Sequence, residues 1–213
     1  MKSWSEPAAN VQGTGGTDAQ LAVLFARLLA QRVGRASFGG MRLLDYGAGR
    51  GEMVRALADL GADVYAIEPF GYQHLVESGI QAYRSADELP HGLSFDGIVT
   101  IDVVEHLFEP WKELTDLRDR LAPSGWLYVA TPNAGGASGR VKRSRWAQAQ
   151  NPGHLLLFSA GSMEEMLSRA GFARWRRLRW FVQYSGSPFK KALHFALQTL
   201  MLDGELRYLA FRS

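Results

Sequence analysis

Cysteine is absent from the 213-residue chain. That excludes a disulfide framework, an iron–sulfur cluster, cysteine-ligated zinc and a thiol nucleophile, and it agrees with a reducing compartment. Charge of one sign is also scarce overall: the formal net charge is only +3, a weak argument for an acidic partner. The cations are clustered all the same, at Lys142, Arg143 and Arg145 and again at Arg174, Arg176, Arg177 and Arg179. No bilayer-spanning run stands out. The apolar stretch over 21–30 carries Arg27 and is too short to cross. The first ten residues hold Glu6 and Pro7 but no apolar stretch of the kind a secretory signal needs. A cytoplasmic protein of one domain is expected, large enough to bury a core without metal or disulfide staples.

What is present is a rhythm of short apolar runs, glycine turns and helical patterns. Thr17 or Asp18 can cap a helix to about Val33, with Leu21, Leu24, Phe25, Leu28 and Leu29 on one face. Strands are predicted at 41–46, 62–67, 80–83, 95–101 and 126–131, and helices at 52–60, 70–78 and 105–121. Near-continuous apolar strands alternating with helices predict a parallel sheet covered on both faces. Further on, a helix from Ser159 to Ala170, a strand over 172–184, an apolar helix over about 189–202 and a last strand over 206–211 complete the pattern. The expected fold is α/β: a Rossmann-like, doubly wound, seven-stranded, mostly parallel sheet with an antiparallel last strand. Residues 1–38 are expected to form an N-terminal helical cap over the cleft, 39–134 a cofactor-binding half and 135–213 a substrate-side half.

The first predicted strand runs into Asp45-Tyr46-Gly47-Ala48-Gly49-Arg50-Gly51 and then a helix. Glycines allow a sharp turn and a close backbone approach to a ligand, and the helix behind offers free N–H groups. A dinucleotide fingerprint needs Gly-x-Gly-x-x-Gly, whereas the spacing here is Gly47, Gly49, Gly51. Asp45 at the strand end repels a pyrophosphate but suits the ammonium of an amino-acid cofactor. Glu68, which ends the second strand before Pro69, stands where an acid can accept the hydroxyls of a ribose.

These residues resemble the first motif and ribose acid of class I S-adenosylmethionine-dependent methyltransferases. The segments 95–107, 121–127 and 154–172 resemble, in order, the later motifs of the ubiquinone-biosynthesis-like group (methyltransferase types 11 and 23). The likeness covers about 40–180. It implies S-adenosylmethionine as cofactor, with Asp45, Gly47, Ala48, Gly49, Glu68, Pro69, Ser85, Ala86 and Asp102 as its binding residues. Many relatives carry an acid for the adenine amine where Ser85 stands, so that contact falls to Ser85, to the Ala86 backbone or to Asp87.

On the substrate side, His106 follows the fourth strand by less than two turns and can deprotonate an acceptor, or can simply pack the loop. His154 is expected to help hold Asn151-Pro152-Gly153 against the site, and Glu105 to favour a helix N-terminus. His106 and His154 are the candidate catalytic residues, and no metal is expected. Asp102, Glu105, His106 and His154 also resemble the metal-binding pattern of small-RNA 2′-O-methyltransferases, which leaves a metal-assisted RNA reaction as an alternative. A non-catalytic cofactor-binding module is another. The expected partner is a small-molecule or lipid-like acceptor rather than nucleic acid. The glycine-rich segment after Asn133 reads as a lid or substrate arm, with Trp146 near something apolar. The helix over 189–202 is expected to pack on the sheet as core; the other readings are a peripheral membrane contact or a homodimer.

Overall fold

The computed structural model describes residues 17–179 and 187–213. The elements are α1 (Thr17–Arg32), β1 (Arg42–Tyr46), α2 (Glu52–Asp59), β2 (Asp63–Ile67), α3 (Tyr72–Glu77), β3 (Gln81–Tyr83), β4 (Phe95–Ile101), α4 (Pro110–Asp119), β5 (Leu121–Pro132), α5 (Ala137–Lys142), α6 (Ala147–Gln150), α7 (Ala160–Arg169), β6 (Arg174–Arg177), α8 (Pro188–Thr199) and β7 (Glu205–Phe211). The seven strands lie in the order β3-β2-β1-β4-β5-β7-β6. β7 runs antiparallel to both β5 and β6, while β1 to β5 pair in parallel. This is the doubly wound sheet expected from the sequence.

Side chains alternate across each strand, so neighbours feed opposite cores. Leu43, Val99, Tyr128 and Leu209 join Ala26, Leu29 and Leu57 on the α1–α2 side. Leu44, Ile98, Leu127 and Tyr208 join Leu114, Leu117, Met163 and Leu167 on the α4–α7 side. Both faces are therefore buried, which is why the strands read as continuous apolar runs. Gly97 in β4 faces Trp126 of β5 in register. A Cβ at position 97 would stand 2.2 Å from the indole, so glycine there makes room for the largest side chain of the central sheet.

Several boundaries differ from expectation. The helix predicted from Glu105 starts at Pro110; residues Val104–His106 form one 3₁₀ turn first. Proline at the first helical position fixes that start. β5 begins at Leu121 rather than Trp126, but the pairing with β4 shifts between Phe95 and Gly97, leaving 122–125 as an irregular bulge. β6 is shorter than predicted, and part of the predicted strand, 180–184, lies outside the described residues. Residues 1–16 of the predicted cap also lie outside them. Among the described residues no helix is long and apolar enough to cross a membrane.

The segment after Asn133 is not a loop but three short helical turns, α5, Arg143–Arg145 and α6. Trp146 is buried within it, and so is not displayed to a ligand. The apolar helix α8 does not pack as core. Gln198 is its buried residue, while Phe189, Leu193, Phe195 and Leu200 are exposed.

Candidate active site

The strand order reverses between β1 and β4, and ligands of such sheets bind outside the carboxyl ends of the strands at that switch. A cleft of about 620 Å³ opens there. Asp45, Gly47 and Ala48 form one wall and Asp102 stands on the opposite rim. Leu21, Ala22 and Phe25 of α1 line it as well, as do Gln148, Gly204 and Glu205.

The turn after β1 requires its glycines. Gly47, Gly49 and Gly51 have φ of 87°, 53° and 80°, values that a side chain tolerates poorly. Gly47 and Ala48 donate their N–H groups to the Ile67 carbonyl, which ties the turn to β2. Glu68 completes it from the next strand: its Oε2 accepts from Gly49 N at 2.8 Å and its Oε1 from Phe70 N at 3.0 Å. Glu68 thus lies behind the glycine turn and braces it, rather than on the lining of the cleft. Pro69, Ser85 and Ala86 likewise stand off the lining, on the β2 and β3 side; Ser85 leads into the short turn Ala86–Glu88.

Asp45 is buried, and its Oδ2 has no hydrogen-bond partner. Burial, then the charges of Glu68 and Glu52, push its carboxyl up to about 7. A carboxylate held in this way favours a cationic ligand over an anionic one.

Across the cleft, Asp102 follows β4 with φ of 53°, a left-handed conformation uncommon outside glycine. Its surface is open to the cleft, yet the protein packed behind it raises its pKa, while His106 and Arg207 oppose the rise. Glu105 is buried, not at a helix end. Its Oε2 accepts a hydrogen bond from Thr131 Oγ1 at 2.8 Å, and its Oε1 has no partner. Burial and Asp102 push Glu105 up to about 8.

The two histidines meet edge to face, with ring centroids 4.7 Å apart. His106 Nδ1 lies 2.8 Å from the Gly153 carbonyl. A carbonyl only accepts, so Nδ1 carries the proton and Nε2 of the neutral ring keeps a lone pair. His106 thus holds the Asn151-Pro152-Gly153 loop from outside, while His154 ties to it through its own backbone N–H, which donates to the Asn151 carbonyl at 3.0 Å. His154 Nδ1 is buried without a partner, and burial followed by the neighbouring His106 lowers the pKa of its ring. One ligand atom each of Glu105, His106 and His154 lie within 4.8 Å of one another. Neither histidine is among the residues that line the cleft, to which Asp102 and Gln148 belong.

One part of the cleft had no signal in the sequence. Glu205 opens β7 opposite Pro132 and lines the cleft. Buried Arg207 binds Glu205 and donates to Asp203 Oδ2 at 2.6 Å. Burial pushes Glu205 up to about 7, against the pull of Arg207.

A family model described as a methyltransferase domain matches residues 18–176. The chain belongs to this methyltransferase family. The Ubiquinone biosynthesis O-methyltransferase of Cereibacter sphaeroides is 36% identical over 106 residues, which are 45% of this chain and 43% of the relative. The match thus spans less than half of that relative's length. Among solved structures, a SAM-dependent methyltransferase from Archaeoglobus fulgidus superposes with a TM-score of 0.64 at 17% identity, over 89% of this chain and 94% of the other. The plantazolicin methyltransferase BpumL, in complex with SAH, gives 0.61 at 16% identity over 92% and 83%. These likenesses place the seven-stranded sheet among methyltransferase folds.

Proposed function

We propose that the protein transfers the methyl group of S-adenosylmethionine to an oxygen, nitrogen or carbon of a small-molecule or lipid-like acceptor. The observation that carries this reading is Asp45: a buried carboxylate with an unpartnered oxygen, on the wall of the cleft at the topological switch. An α-ammonium group satisfies that oxygen; a nicotinamide dinucleotide's pyrophosphate does not. The relative named for ubiquinone biosynthesis supports an oxygen acceptor on a lipid-like molecule.

When bound, the cofactor supplies an electrophilic methyl on a sulfonium. The chain's own residues then divide the work. Asp45 holds the ammonium, and Gly47, Ala48 and Gly49 bring backbone close to the methionine portion. Glu68 and Pro69 serve the ribose and Ser85 and Ala86 the adenine, where the cofactor would extend past the glycine turn toward the β2 and β3 ends, beyond the lining of the open cleft. Asp102 borders the methionine portion from the other rim. α1 closes the cleft as a cap, 39–134 forms the cofactor half and 135–213 the substrate half. Methyl transfer depends mainly on alignment of nucleophile and methyl. His106 and His154 work on the acceptor side, where the His106 Nε2 lone pair can take a proton from an acceptor hydroxyl.

A second reading rests on the partnerless Glu105 Oε1 and His154 Nδ1. With His106 they fit a divalent ion, for which two imidazoles and a carboxylate are suitable donors. The ion would polarise an acceptor oxygen and leave neither histidine free as a base.

Titration calorimetry with S-adenosylhomocysteine tests the cofactor, and turnover against an acceptor library separates an enzyme from a binding module. His106→Ala is expected to lower turnover about 10²–10⁴-fold with cofactor affinity kept. A chelator leaves the base mechanism untouched and abolishes the ion-assisted one. Full turnover in His106→Ala removes the ring from the reaction under both.

A further inference from the structure

The outer face of α8 is apolar where a protein surface is ordinarily polar. Phe189, Leu193 and Leu200 recur at helical spacing and are 78%, 48% and 66% exposed. Gln198, the buried residue of α8, lies on the opposite side of the helix from that stripe. The amphipathic pattern is therefore turned outward, with its apolar side in solvent. The stripe begins beside exposed Lys190, whereas Lys191, seven residues before Gln198, lies on the other side of the helix; α8 contains no acid.

A second surface segment adjoins it. Ala137 N donates to the Leu202 carbonyl at 2.8 Å, which joins the start of α5 to the chain leaving α8. α5 and the turn after it expose Arg140, Lys142, Arg143 and Arg145, together with Val141 at 79%. The sequence around these segments is short of acids. Between residues 120 and 202 the acids are Glu164 and Glu165 alone, against twelve of the 24 Lys and Arg. The small overall net charge hides this polarity.

We infer that α8 and the α5 segment form a docking surface for a lipid bilayer rich in anionic headgroups. Aliphatic and aromatic side chains that face outward enter the headgroup–acyl boundary, while the flanking cations stay at the phosphates. A second copy of the chain is a poorer occupant. A two-fold contact through this face would set Lys190 and the α5 cations against their own copies. Nucleic acid would match the cations but leave Phe189, Leu193 and Leu200 in water.

The surface is also placed for use. The chain leaving α8 runs into Gly204 and Glu205, and α6, which follows the α5 segment, contains Gln148, all three on the cleft lining. Both lipid-facing segments therefore lead to the cleft rim, where a lipid-like acceptor would pass from bilayer to site. That last step rests on the methyltransferase reading above; attachment to the bilayer does not.

The test is flotation of the untagged full chain with vesicles of phosphatidylcholine alone and of phosphatidylcholine with about one-third phosphatidylglycerol. Binding is expected to the anionic vesicles and to weaken as salt rises. Lys190→Gln is expected to lower the partition coefficient about fivefold, the share of one cation near the surface. The triple change Phe189→Ser, Leu193→Ser, Leu200→Ser is expected to abolish it. S-adenosylhomocysteine affinity, measured on the same samples, should match the parent chain in both variants, which shows that they are folded and reads the cofactor proposal separately. Absence of wild-type binding to anionic vesicles overturns the inference. So does equal binding by the triple variant, or a dimer in solution that the triple change dissociates while vesicles bind neither form.

Discussion

The two walls of the cleft are built by opposite means. On the β1 side the parts are consecutive: strand, acid, glycine turn and helix occupy Asp45 to Glu52, and backbone conformation does most of the positioning. On the β4 side the parts are side chains from distant segments, at 102–106, 131, 148–154 and 203–207. A wall made of backbone can be altered in function without losing the fold. A wall made of converging buried charges holds part of the fold in the same contacts.

The sharpest test of that contrast is Gly47→Val. With φ of 87° at this position, a β-branched residue must leave the left-handed region and reshape the turn. Calorimetry should find S-adenosylhomocysteine binding abolished while circular dichroism shows the sheet intact. Normal affinity in this variant would mean that the ligand is not seated on the turn.

Arg207→Leu should show the reverse. Removing the guanidinium leaves Glu205 and Asp203 uncompensated in a buried setting, and breaking one partner of such a group costs about 3–5 kcal/mol. Denaturant unfolding should register that loss directly. An unchanged midpoint would show that water, not Arg207, satisfies the two acids.

Asp45→Asn is the smaller and more diagnostic change. In the cofactor-free protein the carboxyl is raised to about 7 from 3.8. The folded state therefore binds this proton more tightly than the unfolded chain, and Asp45's contribution to stability is lost as pH rises from about 4 through 7. An ammonium ligand needs the ionised form, so cofactor affinity should rise between about pH 6 and pH 8. The asparagine variant should bind about 10–100-fold more weakly at the upper end, a loss of roughly 1.5–3 kcal/mol, with the pH dependence flattened. A parent chain whose affinity is flat in pH would detach Asp45 from the ammonium.

The same contrast explains what could be read from the sequence. Gly47, Gly49 and Gly51 announce their turn because φ above zero is a demand each residue makes on its own. The sheet was legible because two buried faces turn every strand into an apolar run. Glu205 and Arg207 gave no such sign, since their meaning depends on β7 pairing beside β5, a contact between residues some 75 positions apart. The burial of Glu105 was hidden for a related reason. A single turn, Val104–His106, precedes the helix that starts only at Pro110, and Thr131 from another strand decides what the Glu105 carboxylate touches. For α8 the helix was predicted and its orientation was not. Period alone marks an apolar face without saying whether protein or something else will cover it.

Gly153 sits so close to His106 that a Cβ on it would lie 3.2 Å from Nδ1. Glycine thus lets the loop peptide approach the ring closely enough to give Nδ1 its carbonyl. While the loop is seated, that carbonyl holds the imidazole in one tautomer and leaves the lone pair at Nε2. If the loop lifts, the acceptor goes with it, and the proton is free to move to the other side of the ring. The position of a glycine peptide thus acts as a mechanical address for a hydrogen atom, and a loop displacement is recorded as a relocated proton.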